Sequence, residues 1–217
     1  MLYTSSYKNF NSKLYKGVSI SKDKGKDANW KKDYYLSLAP TKELFKTWKK
    51  NKGIISDEEN NLFYITEFYK QVLSKLDITK TYNELSNCYL LCYENNDEFC
   101  HRHIVAAWFE LFLDVKIKEV VVDGLSIVEV ERPEWIKDTL EKVIKENINM
   151  RGFKSLRALF LFDTGEQYEK EANEKEKTSN KNYDYLRQAA CYMRCEADRA
   201  EEEYNESIKV KKLTKNE

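Results

Sequence analysis

One junction constrains the fold of this chain more than any other feature: a short apolar segment leads through a polar loop into the start of an amphipathic helix. Residues 88–93, Cys-Tyr-Leu-Leu-Cys-Tyr, are bounded by turn-forming residues, which is typical of a buried strand in a parallel sheet. Residues 104–112 place apolar side chains on one helical face. Because a Cys-His-Arg-His segment at residues 100–103 lies between them, thiol, imidazole and guanidinium groups are predicted to meet there.

The Cys-His-Arg-His segment falls at the N-terminus of the predicted helix, just beyond the carboxyl end of the predicted strand. Ligands of open α/β sheets bind at the carboxyl ends of strands, and free N–H groups at a helix N-terminus attract anions. Asp97 or Glu98 is expected to cap the helix or to complement its first turn. In this field and beside Arg102, Cys100 is predicted to have a lowered pKa and to be a better nucleophile.

Three interpretations of this segment remain open. In the first, Cys100 attacks a substrate, His101 or His103 transfers protons, and Arg102 holds a phosphate or carboxylate group. In the second, the same side chains bind an anionic ligand without reacting. In the third, Cys100 packs as a small apolar residue and the histidines cap the helix. The concentration of titratable groups favours a functional site over simple packing.

Zinc is a separate alternative, because Cys92, Cys100, His101 and His103 carry the thiolate and imidazole groups that it prefers. No Cys-x-x-Cys or His-x-x-x-His pair completes a recognisable zinc pattern. Alternation along the strand can also turn Cys92 towards the core. The sequence therefore favours a site without a metal or cofactor.

Two blocks of the sequence resemble a known family. Leu-Leu-Cys-Tyr-Glu at residues 90–94 and Cys-His-Arg-His at residues 100–103 are similar to the signature of the domain-of-unknown-function family 488 (DUF488). Further landmarks of that family occur in the expected order at residues 3–7, 18–21 and 38–40. The resemblance extends from the first residue to Asp123. It implies a compact, Rossmann-like, three-layer α/β domain, and it implies no settled reaction.

The resemblance also singles out six polar positions. They are Ser5, Ser19, Glu94, Cys100, His101 and Arg102. Ser5 and Ser19 lie in the predicted strands 2–7 and 17–21, where small hydroxyl residues can hold a phosphate or ribose group or make ordinary turns. Glu94 is interpreted either as a general base or nucleophile, or as the partner of Arg102 or a histidine.

Composition limits the partners of the protein. The chain has 37 basic and 37 acidic residues, which argues against a surface that is wholly adapted to nucleic acid but allows a local basic patch. The lysine-rich segment 22–33 with Trp30 suits either a solvated loop or contact with a nucleotide or nucleic acid. An odd number of cysteines, no export signal and no membrane-length apolar run predict reduced thiols in a cytoplasmic protein without a membrane partner.

The rest of the chain completes an α/β plan. A capping box at residues 56–59 begins a helix, residues 118–123 form a further strand, and residues 127–130 add an edge strand or ribbon. We therefore predict an α/β class protein, with a Rossmann-like three-layer domain and a short, mostly parallel sheet over residues 1–131. Residues 132–217 are predicted to form a helical extension.

Two long helices with a break at Ser179 and Asn180 are expected to form an antiparallel hairpin in this extension, which can serve as a homodimer interface. The leading functional hypothesis is a hydrolase or transferase that uses Cys100 or Glu94, with His101 as acid or base. Arg102, His103, Ser5 and Ser19 would bind its nucleotide-like or nucleic-acid-derived anionic substrate. The alternative is a non-catalytic module that binds a nucleotide or phospho-ligand and signals through the extension.

Overall fold

The computed structural model describes residues 1–11, 13–123, 125–178 and 183–213. Within these ranges, five strands form one sheet in the order β2-β3-β1-β4-β5. They are β1 (Tyr3–Ser6), β2 (Gly17–Ser19), β3 (Tyr89–Cys92), β4 (Lys118–Asp123) and β5 (Ser126–Val130). The first four are parallel, and β5 pairs antiparallel with β4 at one edge. The predicted short, mostly parallel sheet is therefore confirmed.

Seven α-helices lie in the described ranges, and the first three begin at capping side chains. They are α1 (Lys42–Asn51), α2 (Asp57–Gln71), α3 (Ile78–Glu84), α4 (His101–Phe112), α5 (Trp135–Asn147), α6 (Leu156–Thr178) and α7 (Asp184–Leu213). Thr41 caps α1 by accepting the Leu44 N–H, and Ser56 and Glu59 form the predicted capping box of α2. These contacts satisfy backbone donors that a helix N-terminus leaves free.

Both faces of the sheet are covered, as the burial of β3 along its whole length shows. On one face, Tyr89, Leu91 and Val120 form an apolar cluster. Five partly buried aromatic side chains pack against this cluster: Tyr3, Tyr7, Phe10, Tyr15 and Trp30. Helix α4 packs against β1 and β3. The sheet with its flanking helices is consistent with the predicted three-layer α/β fold.

The strand register brings three strand ends together. Ser6 of β1 lies opposite Cys92 of β3, and Ser19 of β2 lies opposite Leu91. The carboxyl ends of β1, β2 and β3 therefore form one continuous edge. The loop from β3 to α4 starts at this edge, in the position where parallel sheets bind their ligands.

Two compact units divide the chain, residues 1–147 and residues 148–217. Helix α5 belongs to the first unit, because it packs against α2 and α4. In the second unit, α6 and α7 run antiparallel, as shown by Arg187 Nη2 at 2.6 Å from Glu176 Oε2 and by the Lys154 N–H at 2.9 Å from Glu201 Oε1.

The domain boundary proposed at residue 131 stays a prediction, and the break expected at Ser179 and Asn180 lies outside the described residues. None of the helices in the described ranges combines the length and the apolar character that crossing a bilayer requires.

Candidate functional site

The N-terminus of α4 differs from the prediction. Cys100 is the N-cap residue, in an extended conformation and without a side-chain capping bond, and no acidic residue lies in the first turn. Glu98 instead accepts the Asn95 N–H at 2.7 Å. The expectation that Asp97 or Glu98 caps or complements this helix was therefore wrong, because the Glu98 side chain turns back to close its own loop.

Four side chains meet at the carboxyl end of β3, and we call them the thiol cluster: Cys92, Glu94, Cys100 and His101. Cys92 is the last residue of β3, and Cys100 and His101 begin α4. Glu94 Oε2 lies 2.9 Å from Cys100 Sγ and 3.1 Å from Cys92 Sγ, so one carboxylate oxygen accepts hydrogen bonds from two thiols. The junction predicted from the sequence therefore does assemble thiol, carboxylate and imidazole groups.

The hydrogen bonds of His101 define which ring nitrogen faces the sulfur atoms. Nε2 lies 3.0 Å from the carbonyl oxygen of Ile20, which can only accept, so Nε2 carries a hydrogen. Nδ1 lies 3.5 Å from Cys92 Sγ and 4.0 Å from Cys100 Sγ. A neutral His101 therefore directs the lone pair of Nδ1 towards the two cysteines.

The pKa of Cys100 contradicts the sequence-based expectation. Only 2% of Cys100 is exposed, and burial raises the pKa of its thiol well above the ordinary range. Cys92 and Glu94 raise this pKa further, and the opposing charge of Arg102 does not compensate. The predicted lowering was wrong because it considered the helix N-terminus and Arg102 but not the desolvation of the thiolate.

The pKa of Glu94 is lowered and the pKa of His101 is raised. Burial alone would raise the pKa of Glu94, but the hydrogen bond from Cys100, the charge of His101 and the hydrogen bond from Cys92 lower it. Burial alone would lower the pKa of His101, but its contacts with Cys100, Glu94 and the Ile20 carbonyl raise it. Glu94 is partly exposed, whereas the other three members of the thiol cluster are buried.

A chain of hydroxyl groups extends from the thiol cluster towards β2. Ser21 Oγ donates to Cys92 Sγ at 3.6 Å, and Tyr7 OH donates to Ser21 Oγ at 3.2 Å. Tyr7 OH also lies 2.6 Å from Ser19 Oγ, which links Ser19 to the site indirectly. Tyr7 and Ser21 were missed as site residues, although each is the last residue of a predicted strand.

Arg102 points away from the thiol cluster and is fully buried against β4. Its Nε and Nη2 atoms donate to Glu119 Oε1 at 3.1 Å and 2.9 Å, and Nη2 also donates to the Asn95 carbonyl at 2.8 Å. Nη1 has no hydrogen-bond partner among the described residues. Arg102 thereby ties the loop after β3 to the sheet.

His103 faces the same carboxylate. His103 Nε2 lies 3.4 Å from Glu119 Oε2 without hydrogen-bond geometry, and burial lowers the pKa of His103. Burial alone would raise the pKa of Glu119, but contacts with His103 and Arg102 lower it to about 2. No sequence pattern indicated this partner, because only the strand register brings Glu119 beside α4.

Ser5 lies outside the thiol cluster. Its hydroxyl donates to the Val120 carbonyl at 2.7 Å and links β1 to β4. The structure therefore brings Glu94, Cys100 and His101 together with Cys92, connects Ser19 through Tyr7, and directs Arg102 and His103 to Glu119.

Residues 8–111 match the family model described as the active DUF488-N3 subclade (DUF488-N3a). This region resembles the DUF488 family. The DUF488-like region spans β2, β3 and nearly all of α4, and thus every member of the thiol cluster, but it leaves out Ser5 and Glu119. No curated protein and no solved structure matches the chain significantly.

Proposed function

We propose that the protein is an enzyme, a hydrolase or transferase, that acts on a nucleotide-like or nucleic-acid-derived anionic substrate. Glu94 is its general base or nucleophile, and His101 transfers a proton. One observation carries this proposal: Glu94 is an ionised, partly exposed carboxylate beside three buried titratable side chains. Such a carboxylate can accept a proton or attack a substrate without first losing a proton itself.

The burial of Cys100 supports Glu94 over the thiol as the reacting group. A buried thiol with a raised pKa is a weak nucleophile. As thiols, Cys92 and Cys100 both donate to Glu94 Oε2, which fixes the direction of the carboxylate. We assign the two cysteines a positioning role towards Glu94.

The surroundings of the thiol cluster support a nucleotide-like substrate. It lies at the carboxyl edge of three parallel strands, where nucleotides bind in many α/β proteins. Tyr93 is 37% exposed, and its ring meets that of Tyr7 edge-on at 4.9 Å between centroids, which offers an aromatic surface to a base. The lysine-rich segment 22–33 follows β2 at this edge, and its five lysines outnumber its three aspartates, which gives a net positive charge suited to phosphate.

Arg102 has a different role in this proposal than a direct clamp on the substrate. Its bonds to Glu119 and to the Asn95 carbonyl support a positioning role for the loop that carries Glu94. Binding of the substrate by Arg102, His103, Ser5 or Ser19 stays a prediction. A cytoplasmic location and a homodimer through the C-terminal helices stay predictions as well.

The test compares Glu94→Gln with wild type across a panel of nucleotides and short oligonucleotides. We expect the wild type to convert at least one class, detected by chromatography and mass spectrometry of the products. Glu94→Gln should lower turnover by about 100-fold or more, because an amide can neither accept the proton nor attack. The variant should keep the rise in melting temperature that the same ligand causes.

The matched control is Asp97→Asn, an exposed carboxylate in the same loop, which should leave turnover unchanged. The second candidate function, a non-catalytic binding module, is favoured by the burial of Cys92, Cys100 and His101. A ligand-induced rise in melting temperature without any product, in wild type and in Glu94→Gln alike, would establish the binding module and refute the enzyme.

A further inference from the structure

We propose that Cys92, Cys100 and His101 form a zinc site that is open on one side, with Glu94 beside the open position. The Sγ atoms of the two cysteines and a ring nitrogen of His101 all lie within 4.8 Å of one another. Two thiolates and one imidazole are a ligand set that zinc prefers, and three protein ligands are typical of zinc sites that keep a position for water or substrate.

The distances from the His101 nitrogen to the two sulfur atoms suit a tetrahedrally coordinated ion. Nδ1 of His101 is 3.5 Å from Cys92 Sγ and 4.0 Å from Cys100 Sγ. With zinc–sulfur bonds of about 2.3 Å and zinc–nitrogen bonds of about 2.0 Å, a tetrahedral ion separates its ligand atoms by roughly 3.5–3.8 Å. The three groups would need only small movements to share one ion.

The contacts behind the ligands support the same conclusion. A metal-bound histidine normally donates its other N–H to a carbonyl or carboxylate, and His101 Nε2 does so to the Ile20 carbonyl at 3.0 Å. Ser21 Oγ donates to Cys92 Sγ at 3.6 Å, as expected for a hydroxyl that stabilises a thiolate. These contacts fix the ring so that Nδ1, rather than Nε2, faces the sulfur atoms.

Glu94 explains what such an ion would do. Its Oε2 atom now contacts both sulfur atoms through their hydrogens. Zinc binding replaces the two thiol protons, which leave to solvent. A zinc-bound water can then donate to Glu94 in their place, and loss of its proton to Glu94 gives hydroxide on the metal. This role of Glu94 rests on the proposed function, whereas the metal site itself does not.

The metal content of the full chain tests the site without reference to activity. Protein purified with a reductant should contain about one zinc ion per chain, measured by inductively coupled plasma mass spectrometry. After removal of zinc, addition of cobalt(II) should produce a thiolate-to-cobalt charge-transfer band. Cys92→Ser, Cys100→Ser and His101→Gln should each lower the zinc content at least tenfold and abolish the cobalt band.

Cys88→Ser is the matched control, because Cys88 is also buried but donates to the Ser86 carbonyl and lies outside the site. It should keep both the zinc and the cobalt band. Circular dichroism identifies variants that fail to fold. For these positions, titration of the wild type with zinc tests the metal site instead. A folded, reduced wild type that takes up neither zinc nor cobalt, or a folded Cys92→Ser variant with full zinc content, would overturn the proposal.

Glu94→Gln separates this proposal from the enzymatic one. We expect it to retain zinc while it loses turnover. Normal zinc with unchanged turnover would refute the role of Glu94 but leave the metal site intact. A wild type that binds no zinc, together with loss of turnover in Glu94→Gln, would refute the metal site but leave the role of Glu94 intact.

Discussion

At the scale of single residues, burial raises the pKa of the Cys100 thiol, whereas the charged partners of Glu119 lower the pKa of its carboxyl group although it is also buried. The sequence correctly placed Cys100 at the start of a helix beside histidine and arginine. It could not give the pKa of the thiol, because desolvation depends on segments distant in sequence that bury the sulfur. Glu119 lies in a predicted apolar strand and was not predicted as a site residue. Its contact with Arg102 depends on how β4 aligns with α4.

The pair of Arg102 and Glu119 yields a prediction on stability. Both side chains are almost completely buried, so Glu119→Gln would leave the Arg102 charge without its partner. We expect a loss of about 3–5 kcal/mol in the free energy of unfolding, measured with urea at neutral pH. Glu129→Gln, which removes an exposed ion pair with Lys118 in the same sheet, should change the stability little.

The same pair makes the stability depend on acid. The pKa of Glu119 falls from 4.5 to about 2 on folding, so its contribution is complete above pH 4.5 and is lost as the pH falls towards 2. The stability difference between wild type and Glu119→Gln should therefore narrow over this interval. A difference that stays constant from neutral pH to pH 2 would contradict the assigned pKa.

At the scale of helices and strands, boundaries were predictable where local chemistry sets them. The capping box at Ser56 and the strand at residues 118–123 are indicated by neighbouring residues, and both appear in the structure. The start of α4 was predicted in place but not in its capping, because the Glu98 carboxylate accepts the Asn95 N–H rather than an N–H of the helix. Sequence spacing cannot choose between such partners.

Gly17, the first residue of β2, is an element-scale test of the aromatic layer. A Cβ atom there would lie 2.6 Å from Leu91 Cδ1 and from Phe10 Cε1, and 2.8 Å from Trp30 Cη2. We expect Gly17→Ala to destabilise the protein by about 1–3 kcal/mol, measured by urea unfolding. The same change in a Phe10→Leu background should cost less, and an equal cost would exclude crowding against the Phe10 ring.

At the scale of the whole molecule, the order of elements was predictable from the sequence, whereas the helices that α5 packs against were not. The sequence predicted that the helical extension begins at residue 132. The structure packs α5 against α2 and α4, because its apolar stripe completes the first unit. A stripe of apolar residues shows that a helix has a partner but does not show which partner it has.

Two fragments test this assignment. Residues 1–147 retain α5, whereas residues 1–131 lose the buried side chains of Ile136, Leu140, Val143 and Ile144. Their burial is worth about 6–12 kcal/mol together, which is comparable to the whole stability of many domains. We expect fragment 1–147 to unfold cooperatively in urea and fragment 1–131 to be largely unfolded by circular dichroism. Equal cooperativity in both fragments would support the predicted boundary at residue 131.

The proximity of Cys92 and Cys100 has a consequence for the conditions under which the protein can work. Their sulfur atoms lie within 4.8 Å of each other and share one carboxylate oxygen. If peroxide converts one of them to a sulfenic acid, the other is near enough to condense with it. The resulting disulfide would remove both thiol groups that hold Glu94. Oxidation by air or peroxide that reaches these buried sulfur atoms would therefore inactivate the site at this edge of the sheet while leaving the rest of the fold in place.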